Sequence, residues 1–404
     1  MKRSDFSGSF PGQLVSTTAI HHRLAERGIV NETLAGEAFV PDPLPPAHPT
    51  ADEVKAEFYE QIVAAERGLS ELEGAAKRLP NPHLLIRPLL RREAILSSKI
   101  ENTIASADQL VLFEEDPALL GDRRSMVQEV HNYVRAIEHA THDQRPICAN
   151  LLKECHRILL SEDAKKRPGQ FRDQQNWIGR ESAPFHKARF VPPPPDLIEG
   201  CMSDLERFIN NAGSVRDTYP RLVRFAFIHY QFETIHPFID GNGRVGRMLV
   251  TLLLCEQAQL SRPLLHISGF FERHRQEYYD CLYRVSTKGS WNDWIEFFLT
   301  GVAEQAHDAL RRADALVALQ HDFRRRISEK RSSANLHLLV DKLFARPALT
   351  VKEAGRIAGV TPAAAGELVR KLVDHGILKE VTGRRRDRVF MAMEIIDIIN
   401  RDFG

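Results

Sequence analysis

The stretch His236-Pro237-Phe238-Ile239-Asp240-Gly241-Asn242-Gly243-Arg244-Val245-Gly246-Arg247 gathers most of the side chains whose types and spacing could do chemistry in this chain of 404 residues. An imidazole titrates near neutral pH, so His236 suits removal of a proton from an attacking hydroxyl. Asp240 is a lone carboxylate beside a glycine-rich loop. Mg²⁺ is commonly held in that way, by one or two carboxylates with waters and substrate phosphates completing the shell. Gly241, Gly243 and Gly246 lack a Cβ and let a ligand approach the backbone. Arg244 and Arg247, three apart, share a helical face and can grip one polyanion. Taken singly these residues are a His-Pro turn and a polar loop. In this order they describe a phosphate site with its own base and metal ligand.

Two apolar, helix-like runs must hold that stretch in place. Leu222 to Phe232 leads in, with Val223, Phe227 and Tyr230 at helical spacing, and Met248 to Leu260 leads out. The loop therefore opens a helix, whose first-turn N–H groups and dipole favour an anion. Cations at such an end are unfavourable unless a polyanion binds there. Gln231, on the incoming helix, is close enough in sequence to reach a nucleotide or to hold backbone.

The pattern His-Pro-Phe-x-Asp-Gly-Asn-Gly-Arg-x-x-Arg resembles the core motif of the Fic family, which transfers AMP from ATP to protein hydroxyls, and it matches at every defining position. The resemblance implies that His236 is the general base toward a Ser, Thr or Tyr hydroxyl and that Asp240 binds Mg²⁺. It implies that Gly241, Asn242 and Gly243 form the anion hole for the α- and β-phosphates. Arg244 adds to that hole, Arg247 holds the γ-phosphate, and Phe238 anchors the loop. Upstream, Ser97-Ser98-Lys99-Ile100-Glu101-Asn102 resembles the family's inhibitory helix motif, with Ser97 and Glu101 on one face. The resemblance implies that Glu101 pairs with Arg247 and displaces the γ-phosphate.

The rest of the chain reads as support. Residues 1–50, rich in Pro, Gly and short polar side chains, suggest an extended arm. Helices are expected from Thr50 to about Leu79, from near Pro88 through Ile104, and over 126–161. The histidines His131, His139, His142 and His156 show no metal-ligand spacing and read as surface or packing residues. Asn176-Trp177-Ile178-Gly179 and Ala188-Arg189-Phe190-Val191 flank a polar turn and read as a β-hairpin. The resemblance implies that this hairpin is the Fic flap, where a target segment docks by strand addition. Trp291, Trp294, Phe297 and Phe298 repeat at helical spacing and belong in a core. From Asn335 a helix-turn-helix rhythm with two strands and a basic turn, Gly383-Arg384-Arg385-Arg386, resembles a winged helix.

The fold expected is mainly α: a Fic-type helical bundle with a β-hairpin flap and a C-terminal winged helix. The domains expected are 1–118, carrying the inhibitory helix, 119–330, the catalytic domain, and 335–404. Acidic and basic residues nearly cancel, 54 against 55, so overall charge predicts neither a nucleic-acid nor a membrane partner. No apolar run approaches a membrane span, and the basic N-terminus lacks a leader's apolar segment. The five cysteines contain no CxxC pair and suggest reduced thiols and a cytoplasmic protein. Pro362-Ala363-Ala364-Ala365-Gly366-Glu367 offers few donors to base edges, so target docking or a homodimer is favoured over DNA binding. The alternatives are a DNA-binding regulator with a sensor core, a transferase using another nucleotide such as UTP, and removal rather than addition of AMP. A reversed-nucleotide phosphotransferase is disfavoured, because such relatives carry Lys where this chain has Gly243.

Overall fold

The computed structural model describes residues 1, 3–8, 10–25, 28–78, 83–179, 185–211, 215–256, 260, 262–328 and 334–403. Leu79, where the first helix is expected to stop, and flap residues 181–184 lie outside them.

The chain opens on two long antiparallel strands, β1 (Gly12–Ala25) and β2 (Gly28–Pro41), in register from Gly12↔Pro41 to Ala25↔Gly28. This corrects the expected extended arm. Short residues pack well here: Ala19 and Ala38 are buried against Phe185, Ala188 and Val191. Gly36 leaves room for the Phe185 ring, whose edge would lie 2.5 Å from an added Cβ. Helices α1 (Ala51–Glu57) and α2 (Tyr59–Arg78) follow. The first starts at Thr50 with the reciprocal Thr50–Glu53 capping box that its sequence announces. Next comes α3 (His83–Ile100), which carries Pro88 inside rather than at its start. It ends because Asn102 takes a left-handed φ of 63°, a conformation Asn tolerates.

Then follow α4 (Ala107–Glu115), α5 (Arg124–His142), α6 (Ala149–Leu159) and α7 (Ile198–Asn210). Helices α8 (Arg221–Ile235) and α9 (Asn242–Glu256) are apolar almost all round and correspondingly buried. They are followed by α10 (Ser268–Arg273), α11 (Arg275–Lys288) and α12 (Trp291–Ser328). The Trp294 indole donates to the Ala226 carbonyl at 2.9 Å, and Trp291 meets Phe227 and Tyr230 edge-on, so the aromatic repeat of α12 walls α8.

The last part of the chain forms α13 (Ala334–Ala345), β3 (Ala348–Thr350), α14 (Val351–Ala358) and α15 (Pro362–Asp374), then β4 (Lys379–Glu380), β5 (Val389–Met391) and α16 (Met393–Asn400). Its strands make a three-stranded antiparallel sheet in the order β3-β5-β4.

The chain divides into two compact units: residues 1–66, 135–256 and 273–303 form one, and 67–134, 257–272 and 304–404 the other. The motif loop and the β1–β2 hairpin lie in the first. In the second, the buried Arg91 is forked onto Glu114 and bonded to the Ala345 carbonyl. The buried Arg312 likewise pairs with Asp308 and the Ile398 carbonyl. No helix among the described residues is long and apolar enough to cross a membrane, and all five cysteines are free thiols.

Candidate active site

Helix α8 ends at His236, which caps it in a left-handed conformation (φ 50°, ψ 58°). That turn throws the chain away from the helix axis and lets six residues return it to the start of α9. Phe238 is the anchor: it is fully buried and lies flat on the His156 ring, centroids 3.9 Å apart and planes within 7°. Asn242 locks the return. Its Oδ1 accepts from the Phe238 N–H at 2.8 Å, and its Nδ2 donates to the Phe238 carbonyl at 2.9 Å. The Asn242 side chain is thus spent on holding the loop, and what faces a ligand here is backbone. Asn242→Ala removes both bonds at a buried site and should cost about 2 kcal/mol of stability, read as a lower urea midpoint.

Gly241 takes φ 78°, and the first intrahelical bond of α9 runs from Val245 N–H to the Gly241 carbonyl. The N–H groups of residues 242–244 therefore form the open first turn of a helix, the arrangement that receives an anion. Arg244 and Arg247 are both buried in the first two turns, and their charge adds to the dipole. At Gly246 the space is taken by the Glu233 carboxylate, which would lie 2.1 Å from an added Cβ and would have to swing away.

His236 Nδ1 lies 3.3 Å from the Glu233 carbonyl. With the proton on Nδ1 for that contact, Nε2 carries the lone pair. Asp240 is half-exposed. Burial works against its ionised form, but Arg244, the Lys166 ammonium and the Gly241 N–H together outweigh it and hold its pKa below the usual carboxylate range. Lys166 Nζ stands 2.8 Å from Asp240 Oδ2. A cation therefore fits against that oxygen, and one ionised carboxylate beside a phosphate cradle is a donor set that suits Mg²⁺. Gln231 turns from the loop to bond the Asp42 carbonyl at 3.0 Å, so its observed role is to hold backbone. Ser97 and Glu101 belong to the end of α3 in the other unit, Ser97 buried and Glu101 partly exposed, with the Glu101 N–H bonded to the Ser98 carbonyl.

Three supporting residues acquire their roles only in the fold. His156, expected to be a surface or packing residue, donates from Nε2 to the Asp240 carbonyl and accepts at Nδ1 from the Gly169 N–H. Burial pushes it down to about 4, so it is neutral. His229, held down to about 3 by burial and then by Arg247, bridges the Gly246 carbonyl and the Tyr278 hydroxyl. An unfolded histidine binds its proton near 6.5, whereas folded His156 does so only near 4. Between those values the unfolded chain holds more protons, so stability falls as pH is lowered. Each such histidine contributes at most about 1.4 kcal/mol per pH unit. Urea midpoints at pH 7 and pH 5 should show the loss, and His156→Gln should reduce it. Lys166 is the third, and nothing in its local spacing marks it out. A further cluster, His139, Asp143 and Glu154, comes together with Arg145 forked between the two carboxylates.

Among the described residues of the flap, the two arms meet in an isolated antiparallel bridge, Ile178↔Phe190, and the Val191 carbonyl accepts from the Phe39 N–H of β2 at 2.9 Å. The Thr17 hydroxyl also bonds Gln175 at 2.7 Å. The N-terminal hairpin is built onto the flap segment.

A mainly helical unit in which a glycine-rich loop follows a histidine-capped helix and opens a second one defines the Fic class of fold. The chain carries two Fic/DOC family domains: residues 59–142 match the "Fic/DOC family N-terminal" model and residues 146–254 the "Fic/DOC family" model. The protein adenylyltransferase Fic of Culex quinquefasciatus is 33% identical over 147 residues, which cover 36% of this chain and 26% of that protein. The protein adenylyltransferase fic-1 of Caenorhabditis elegans is 29% identical over 171 residues, 42% of this chain and 29% of that one. The chain thus spans less than a third of the length of these curated relatives. Among solved structures, a Fic family protein from Desulfovibrio desulfuricans shares the fold with a TM-score of 0.52 at 20% identity, over 82% of this chain and 96% of that one. A fragment of Fic-1 from C. elegans gives 0.50 at 19% identity, over 66% and 76%.

Proposed function

We propose that this protein transfers AMP from ATP to a hydroxyl of a Ser, Thr or Tyr side chain on a protein target, itself included. The observation that carries the reading is the loop locked by Asn242, which sets His236 just before an open helix N-terminus flanked by two buried guanidiniums. The first-turn N–H groups and Arg244 bind the α- and β-phosphates, and Arg247 the γ-phosphate. Asp240 would hold Mg²⁺, which when bound neutralises phosphate charge. His236 Nε2 takes the proton of the target hydroxyl as its oxygen attacks the α-phosphorus in line. The bond to the pyrophosphate oxygen breaks, and pyrophosphate leaves. Such a reaction depends on positioning and charge neutralisation more than on covalent chemistry.

Because Lys166 neutralises Asp240, metal entry is a cation exchange in this reading. Lys166→Gln should tighten Mn²⁺ binding about fivefold, the scale of a partly exposed ion pair, in a nucleotide-free titration followed by electron paramagnetic resonance. Glu101, with Ser97 a turn before it, acts as a brake by competing with the γ-phosphate.

The C-terminal elements we read as a winged helix used for protein association. The start of α15 exposes Pro362, Ala363 and Ala364, which give nothing to a base edge, and Arg384 of the basic turn is paired with Asp116. Labelling with α-phosphate-tagged ATP, wild type beside His236→Ala, tests the transferase. A gel shift with genomic fragments tests the DNA-binding alternative. Label transfer unaffected by His236→Ala would remove the reading.

A further inference from the structure

Arg172 belongs to the Gly169-Gln170-Phe171-Arg172 segment, which the phosphate chemistry does not use, yet its surroundings are unusual. The guanidinium is 2% exposed, and among the described residues no carboxylate pairs with it. Burying a cation without an anion is expensive unless its hydrogen bonds are made good. Here main-chain carbonyls do so. Nε donates to the His236 carbonyl at 2.9 Å, and one terminal nitrogen donates to Gln174 at 3.2 Å. The other donates to Pro193 at 2.5 Å and to Ile235 at 3.5 Å. The Arg172 N–H completes the set by donating to the Pro237 carbonyl at 2.9 Å.

Two of these acceptors, Ile235 and His236, are terminal carbonyls of α8, where a cation meets the negative end of the dipole. The His236 backbone is left-handed, a strained conformation that a histidine keeps when its surroundings over-determine it. The Pro193 carbonyl lies three residues beyond Phe190, at the exit of the flap. Gln175 reinforces the tie by donating to the Pro192 carbonyl at 2.9 Å, and Asn176 by donating to Phe238 at 3.2 Å.

We propose that Arg172 is a positioning residue for His236: it caps α8 from outside the helix and, in the same grip, fixes the imidazole relative to the flap segment. The inference deepens the proposed transferase reading and rests on it for its catalytic consequence. Arg172 bonds no residue between 241 and 247, so the phosphate cradle should survive its loss. A displacement of about 1 Å of the base, however, can cost about a hundredfold in rate.

The test uses the full chain in a Glu101→Gly background. Arg172→Met keeps the aliphatic stem and loses the fork. Arg172→Lys keeps the charge but cannot reach all the carbonyls, and it decides the matter if the Met variant does not fold. AMP transfer should fall about a hundredfold in kcat for Arg172→Met and about tenfold for Arg172→Lys, with the ATP Kd by calorimetry within about twofold of the parent. Independently of any activity, the ¹⁵N spectrum of the His236 ring should pass from one tautomer, protonated at Nδ1, to a mixture. An unmoved ring spectrum overturns the inference, as does an ATP affinity that falls in step with kcat. If the parent transfers no AMP, the transferase reading fails and the ring spectrum alone decides the positioning role.

Discussion

Replacing His236 with alanine is expected to lower AMP transfer about a thousandfold, the scale on which a positioned general base works. The reason is that no other base is at hand in the loop. The neighbouring imidazole, His156, has both ring nitrogens engaged, by the Asp240 carbonyl and the Gly169 N–H, and is too weakly basic to help. Asp240 is held by Lys166. ATP binding should be unchanged, because the proposed cradle draws on α9 backbone and two arginines rather than on the imidazole. Single-turnover labelling with α-tagged ATP, with a parallel calorimetric titration, separates the two. A residual rate within threefold of the parent would assign the proton to another acceptor.

Glu101→Gly should raise AMP transfer between about fivefold and a hundredfold. A carboxylate that competes with the γ-phosphate for a guanidinium is worth about 1 kcal/mol when wet and a few when desolvated, which sets that range. The substitution is mild for the fold. Glu101 stands at the end of α3, where glycine is well tolerated, and Asn102 already supplies the left-handed turn that stops the helix. Glu101→Gln, which keeps the shape and removes the charge, should release most of the same activity. If both variants label targets at the parent rate while melting at the parent temperature, the brake is not at Glu101.

Much of the site was legible because its chemistry is local. The residues from His236 to Arg247 are contiguous, and a glycine-rich run between two apolar helices can be read as an anion-binding helix entrance from spacing alone. Trp291 and Trp294 as core follow from apolar periodicity and Phe238 as anchor from the resemblance of the motif, and all three are buried. The N-terminal hairpin was not legible. Its strands are joined through Glu26-Arg27, which lacks the Asn-Gly or Asp-Gly signal of a tight hairpin, and they carry Ser, Thr and Ala where a strand pattern looks for large apolar residues. Those small residues suit it because Phe185 and Trp177 fill the space from the other side.

By itself, then, the sequence pointed to the groups suited to phosphate and proton and to where most helices lie, since caps, periodicity and glycine placement act over a few residues. Only the tertiary structure decided how those groups are held. His156 beneath Phe238, Lys166 on Asp240, Arg172 across the end of α8 and β2 along the flap are contacts between residues from about 60 to 150 positions apart. Partners so distant leave no period or spacing in the chain. They arise when burial forces each polar group to find a bond, and the packed fold dictates which one it finds.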